Sequence, residues 1–439
     1  MNAFAESDRR VVITGMGVFS PAGIGCDEFW NNLSSGKSGV KPIQLLEASA
    51  CPDNAGGEVS GFNAETIKKL YLKEKEQRKS IKVMCREIQM GSASALMAFD
   101  HAGLDAAQID HARMGIDFGA NLMNSPPEDL SSGCFECSEN PGHVFHYEKW
   151  GGIGLGKMDP LWLLRYLPNM PACHIAIFLD ARGPSNSLTH DEASANLAIA
   201  ESSRIILRGG ADIMITGSTG TRVHAVRSMH TAMWDELATS PADPAARCRP
   251  FDRDRQGQVP GEGACSIVLE DEQHALARGA TIYGRILGTG SSCVYDRSQL
   301  SNSPRAIVNS MRLALEKAGI APEEVGHINA NGLGTRDADL AEALAIREVF
   351  GDYASRVPVT ALKSFTGNSG SGCGAQELTG SLLGLKQGVI PFTLNCDNPD
   401  PECGLNIVRH EPLATDNKIV LNINSTRIGQ ASAVLVQGD

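Results

Sequence analysis

Cys134 and Cys137 form a single C-x-x-C, a spacing at which two thiolates can share a metal or close a bridge. No second pair stands at zinc-finger spacing, and the twelve cysteines are scattered from Cys26 to Cys403. A chain of 439 residues buries a core without covalent staples. The cysteines therefore read as reduced, mostly buried thiols, with no metal site. Charge is the second chemical feature. Residues 68–86, KKLYLKEKEQRKSIKVMCR, hold eight Lys/Arg and two Glu in a chain whose formal net charge is −12. That balance argues against a general nucleic-acid binder, because phosphate contacts need dense Lys/Arg. It leaves room for a local basic patch that docks an acidic partner. The same run also reads as a solvated helix face held by i,i+4 pairs such as Glu74–Arg78.

The elements that position such side chains follow from pattern. Hydrophobic residues make up 42% and charged residues 21%, as in a folded globular chain. Forty-six glycines with only 5% aromatics suit a sheet-and-helix protein with many tight turns. No run approaches the ~18 apolar residues of a membrane span. The opening MNAFAESDRR lacks the apolar stretch of a signal peptide. The expectation is a cytoplasmic protein with no membrane span.

RRVVITGMGVF (Arg9 to Phe19) is a β-branched strand followed by a Gly/Pro turn, and Cys26 to Gly36 has a helical pattern ended by glycine. Residues 63–103 read as helical, Arg113 to Asn121 as a strand, and 122–160 as loop and short helix. HIAIFLD (His174 to Asp180) is a short apolar run read as a buried strand. A helix over Asn196 to Arg208 and a strand over Gly210 to Thr219 follow. A second half begins near Ala280, where ATIYGRILGTGSS repeats the opening strand and its turn. Arg305 to Ile320 is an amphipathic helix, and Val325 to Gly332 a strand leading into a turn. Strands alternating with helices predict an α/β fold with mostly parallel sheets.

Four segments, RRVVITGMGVFSPAG, LPNMPACHIAI (Leu167 to Ile177), RCRPFDRDRQGQVPGEGA (Arg247 to Ala264) and NCDNPDPECGLNIV (Asn395 to Val408), occur in the order seen in the elongating β-ketoacyl-acyl-carrier-protein synthases. The chain resembles that family over nearly its whole length. The resemblance implies a thiolase-like, five-layered αβαβα fold of two similar halves. These would be residues 1–270, carrying the nucleophile-position helix with loop and docking insertions, and 271–439. It also implies an acyl carrier protein as partner, a homodimer or a heterodimer with an intact ketosynthase, and no cofactor.

Members of this family load an acyl chain on a cysteine at a helix start, where the dipole favours thiolate. Two histidines support malonyl decarboxylation and stabilise the oxyanions, and a lysine and a glutamate organise the site. Carried over by motif, GPSNSLTHDEASANLAIAE (Gly183 to Glu201) puts Glu192 on the cysteine. NANGLGTRDADLAE (Asn329 to Glu342) puts Asn331 on the first histidine and retains Asp339 and Glu342. KSFTGNSGSGCGAQE (Lys363 to Glu377) retains Lys363 and puts Asn368 on the second histidine. The family's glycine- and phenylalanine-rich gate of the acyl pocket becomes NSTRIGQ (Asn424 to Gln430). Thr426 and Ile428 stand at the aromatic positions and Arg427 at a glycine, which predicts a stiffer gate. Lys68, Lys69 and Lys73 fall near the family's carrier-docking residues.

A carboxylate attacks a thioester poorly, and asparagine amides cannot move protons at neutral pH. Standard decarboxylative condensation is therefore not expected, and neither Cys173 nor Cys373 stands where it replaces the nucleophile. Three readings remain. The chain is a non-condensing partner resembling chain-length-factor subunits, or an enzyme acting on acyl-carrier protein or acyl-CoA with Glu192 as general base near Lys363, or a non-catalytic acyl or carrier binder. Glu192 can also simply fill the helix start, paired with Lys363. Asn331 and Asn368 can serve only to satisfy buried polar groups, and Asp339, Glu342 and Glu262 read as structural.

Overall fold

The computed structural model describes residues 9–46, 54–70, 72, 74–139, 144–298 and 301–439. Ten strands carry the fold. They are β1 Val11–Ser20, β2 Met114–Ala120, β3 Ser185–Leu188, β4 Ile213–Thr221, β5 Glu262–Asp271, β6 Gly284–Cys293, β7 His327–Asn329, β8 Pro358–Thr360, β9 Ile419–Ser425 and β10 Gln430–Gly438. Eight helices matter for the site. They are α1 Cys26–Ser34, α2 Arg86–His101, α3 Met170–Leu179, α4 Ser194–Leu207, α5 Ala225–Trp234, α6 Ser303–Ala318, α7 Arg336–Phe350 and α8 Cys373–Lys386.

The strands run in the order β3-β2-β4-β5-β1 in the first half and β6-β10-β9-β7-β8 in the second. Each half pairs its opening strand antiparallel to its last strand, and that one antiparallel to the next. The two pairings beyond are parallel. The halves are thus duplicates in topology, meeting at Val12↔Arg285 and Ile13↔Gly284 between β1 and β6. The sheet is mixed rather than mostly parallel. The sequence alternation fixed helix-strand order but said nothing of the antiparallel strands that close each half.

The duplication extends to packing. Gly15 and Gly17 of β1 face α2, where an added Cβ would lie 2.4 Å from the Ala98 carbonyl oxygen and 2.1 Å from that of Ser94. Gly288 and Gly290 of β6 face α6 in the same way, 2.2 Å from the Ala314 oxygen and 2.0 Å from that of Ser310. Glycine at alternate positions lets each helix backbone lie directly on its strand. α2 and α3 cover the outside of the first half, and α6 and α7 the outside of the second. α4 and α8 touch each other and strands of both halves, so they form the middle of a five-layered αβαβα thiolase-like fold. One buried cluster around this middle layer draws Met16, Ile199 and Ile267 from the first half and Leu378, Val420 and Val434 from the second.

Two local expectations are corrected. His174 to Asp180 is no strand; its residues through Leu179 form the end of α3, which opens with Pro171 in its first turn and stops where Asp180 turns left-handed at φ 52°. A short apolar run does not distinguish a buried helix from a buried strand, whereas Pro171 was a helix-start signal. Residues 63–103 are not one helical stretch but Ala64–Leu70, Lys75–Ser80 with a short 3₁₀ turn, and α2. No helix among the described residues is long and apolar enough to cross a membrane.

Candidate functional site

Glu192 lies in the 3₁₀ turn Asp191–Ala193 that runs into α4, so the fold places it at the start of the central helix of the first half. It is buried, 4% exposed. Its Oε1 accepts from Arg222 Nη2 at 2.7 Å and from Asn368 Nδ2 at 2.9 Å. Arg222 follows the end of β4 and gives Nη1 to Gln258 Oε1 at 2.9 Å, and Asn368 Nδ2 reaches the same oxygen at 2.7 Å. The four side chains close a ring. Arg222 Nη2 also donates to Asp191 Oδ1 at 3.2 Å. Burial, reinforced by Asp191, raises the Glu192 carboxyl above its ordinary range, against the opposing pull of Arg222. For Asp191 burial works the other way from its neighbours, and Arg222 and Arg227 outweigh it, holding the carboxyl below the usual value. Two carboxylates sharing one guanidinium explains the split.

Lys363 does not pair with Glu192, as the sequence reading allowed. Its Nζ donates to Glu377 Oε1 at 2.6 Å and Asn331 Oδ1 at 2.9 Å, with the lysine and glutamate side chains 1% and 3% exposed. Burial disfavours the ammonium, yet Glu377 outweighs it and keeps Lys363 protonated beyond the ordinary lysine range; Cys373 and Glu192 act in the same direction. Asn424 Nδ2 completes this second cluster on Glu377 Oε2 at 2.7 Å. Asn368 thus joins Glu192 directly, while Asn331 belongs to the lysine. Cys373 stands beside Asn368, its Sγ 3.5 Å from Oδ1, and burial pushes the thiol up to about 11. It is protonated at neutral pH and is no substitute nucleophile.

The retained acids hold backbone. Glu342 accepts from the amides of Asn331 and Gly332 at 2.7 and 2.9 Å, and Asp339 from those of Leu333, Gly334 and Phe251. The turn after β7 keeps its shape through these bonds whatever residue 331 is. Glu262 is likewise internal, bonded to Arg86 and the Val59 amide. Arg86 is therefore one cation of the basic run that docks nothing outside. Lys68 is paired with Glu65 at 2.6 Å in an exposed helix end and Lys69 lies beside it, while Lys73 falls outside the described residues.

Thr426, Arg427 and Ile428, which the family resemblance puts at the gate, form the turn between β9 and β10. Thr426 is buried, Ile428 is exposed, and the Thr426 amide donates to the Gln430 carbonyl at 2.8 Å. Arg427 reaches across to the end of α5, giving Nη1 to the Trp234 carbonyl at 2.9 Å and to Asp235 at 3.2 Å. Below it lies a cavity of about 250 Å³ whose walls include Glu192, Arg222, Gln258, Arg227, Trp234 and Arg427. Sequence reasoning missed Arg222, Gln258 and Asp191. A buried carboxylate demands a cation, and Arg222, alone at the end of a wholly buried strand, was the available signal.

Residues 8–275 match the family described as beta-ketoacyl synthase, N-terminal domain, and residues 283–397 the corresponding C-terminal domain. The chain belongs to the β-ketoacyl synthase family. It is 33% identical over 429 residues to a 3-oxoacyl-[acyl-carrier-protein] synthase 2 of Coxiella burnetii, covering 98% of each chain. Among solved structures it resembles the ishigamide ketosynthase/chain length factor, with a TM-score of 0.82, 29% identity and coverage of 98% and 99%. A type II polyketide synthase acyl-carrier protein in complex with its ketosynthase bound to the hexaketide also contains a similar chain, at TM-score 0.82, 25% identity and the same coverage. Within this β-ketoacyl synthase scaffold the middle-layer helices and the turn clamp are in place, and the side chains gathered around Glu192 are carboxylate, guanidinium and amides.

Proposed function

We propose that this β-ketoacyl synthase homologue does not condense, and that it serves fatty-acid or type II polyketide synthesis as a chain-length-factor-like partner of an intact ketosynthase. One observation carries the reading. Where the family needs a thiolate and two proton-carrying rings, Glu192, Arg222, Asn368 and Gln258 satisfy one another in a closed buried ring. The ring holds neither thiol nor imidazole, and its one carboxylate attacks a thioester poorly.

A partner subunit has a surface to use. β3 is the last strand of its half and partly exposed, and exposed Leu161, Leu163 and Ile177 lie in the segment before it. Solved relatives that include a ketosynthase/chain length factor and a carrier-bound ketosynthase support the same partners. Lys68 and Lys69 would meet the acidic carrier protein.

The test is incubation of the purified protein with acyl donor and radiolabelled malonyl-carrier protein. We expect no labelled β-ketoacyl product, and an intact ketosynthase co-purifying from the native host. Product above background in a clean preparation overturns the proposal. The second reading, Glu192 as a general base on a carrier- or CoA-bound acyl group, is favoured by the cavity that opens on its raised carboxyl. It requires turnover of an acyl thioester that is lost in Glu192→Gln.

A further inference from the structure

Helix α5 turns one face to the cavity above Glu192. Arg227, His230, Thr231 and Trp234 all line it, at the i, i+3, i+4 and i+7 spacing of a single helical stripe. The other arginines of the cavity are engaged, Arg222 with Gln258, Glu192 and Asp191, and Arg427 with the Trp234 carbonyl and Asp235. Arg227 differs. Its Nη2 lies 3.9 Å from Asp191 Oδ1, beyond hydrogen-bond length, while its side chain lines the cavity. A guanidinium can only donate. Its terminal N–H groups therefore offer the cavity a place for an oxygen anion.

Asp191, Glu192 and Asp235 line the same cavity, and Arg227 helps to hold Asp191 ionised. Arg227 also acts on Glu87, but burial pushes that carboxyl up to about 8, so at neutral pH it is largely uncharged and adds no second ion pair to the arginine. Trp234 and Leu333 give the same cavity an apolar wall. Its volume of about 250 Å³ lies below the range of drug-sized pockets and suits a short acid.

We propose that this cavity binds a small free monocarboxylate, its carboxylate on Arg227 and its apolar body against Trp234 and Leu333. A thioester carries no charge at its acyl carbon and has no use for a free guanidinium there. The inference stands whether or not the protein condenses, because the binding group is Arg227 of α5, although Glu192 lines the same cavity.

Calorimetric titration of the full chain with sodium hexanoate and with hexanamide, its uncharged isostere, tests it at matched ionic strength. Hexanoate is expected to bind saturably and at least about tenfold more tightly than hexanamide, the difference a charge-assisted pair makes. Arg227→Gln should bring hexanoate down to the level of the amide, while Arg227→Lys keeps part of the preference. Equal binding of the two ligands, no saturable binding of hexanoate, or full hexanoate affinity in Arg227→Gln each overturns the site. Should Arg227→Gln fail to fold, the acid–amide pair on the unaltered protein decides alone.

Discussion

Two buried ionic clusters lie within the same site and are built differently. Around Lys363, one ammonium meets one carboxylate, Glu377, and the remaining polar atoms of the pair go to Asn331 and Asn424. Around Glu192, two carboxylates compete for Arg222, and the cluster borders an open cavity. The first resembles a strut, in which either partner is indispensable. The second has redundancy, because Arg222 keeps Asp191 and Gln258 if Glu192 is lost. Residues expected to hold the scaffold are thus set apart from residues whose exchange it is expected to tolerate.

The contrast predicts its own largest effect. Lys363→Met leaves the Glu377 carboxyl buried without its cation, and breaking such a pair costs about 3–5 kcal/mol. Urea denaturation should show that loss, and a loss under 1 kcal/mol would remove the distinction. Glu87 tests the rim of the second cluster. Its carboxyl is raised from 4.5 to about 8 in the folded protein, so the folded state holds the proton more tightly than the unfolded chain. Its contribution is full below pH 4.5 and is lost as pH rises through 8. Asp117, buried with neither oxygen bonded and raised to about 7, adds to the same trend. Glu87→Gln should flatten the decline in stability between pH 5 and pH 8 by roughly 3 kcal/mol, and an unchanged slope would show that Glu87 ionises freely.

Glu192→Gln comes next, since a glutamine oxygen still accepts from Arg222. We expect a cost within about 1 kcal/mol by the same denaturation; a loss as large as that of Lys363→Met would make the two clusters equivalent. The smallest effect belongs to the surface. Lys68→Glu with Lys69→Glu should shift stability by no more than about 0.5 kcal/mol each. Binding to an acidic carrier protein, measured against salt, should fall sharply if these lysines dock it.

Much of this was readable from local pattern. β1, α4, β4 and α6 follow from β-branched runs and 3.6-residue periodicity, and the family likeness followed from long ordered motifs. The proximity of Glu192 and Asn368, 176 residues apart, came through that likeness alone. Gln258 escaped because a hydrogen bond between separate segments leaves no mark in either, and Arg222 because its position at the end of a buried strand was not weighed. α3 was misread because it is apolar on nearly every side, the exposed Ile177 included, and a helix apolar all round loses the periodicity that identifies it.

The apolar cluster around α4 and α8 has a consequence for dissection of the chain. It is composed of side chains from both duplicates, including Ile199, Ile267, Leu378 and Val434, so neither half carries a complete interior. A fragment ending near residue 280, or one starting there, would expose one side of its sandwich to water and aggregate. Co-expressed, the two fragments would each supply the surface the other lacks. The two halves thus share one interior, and the chain is expected to melt in one step and to tolerate a cut in the backbone but not division.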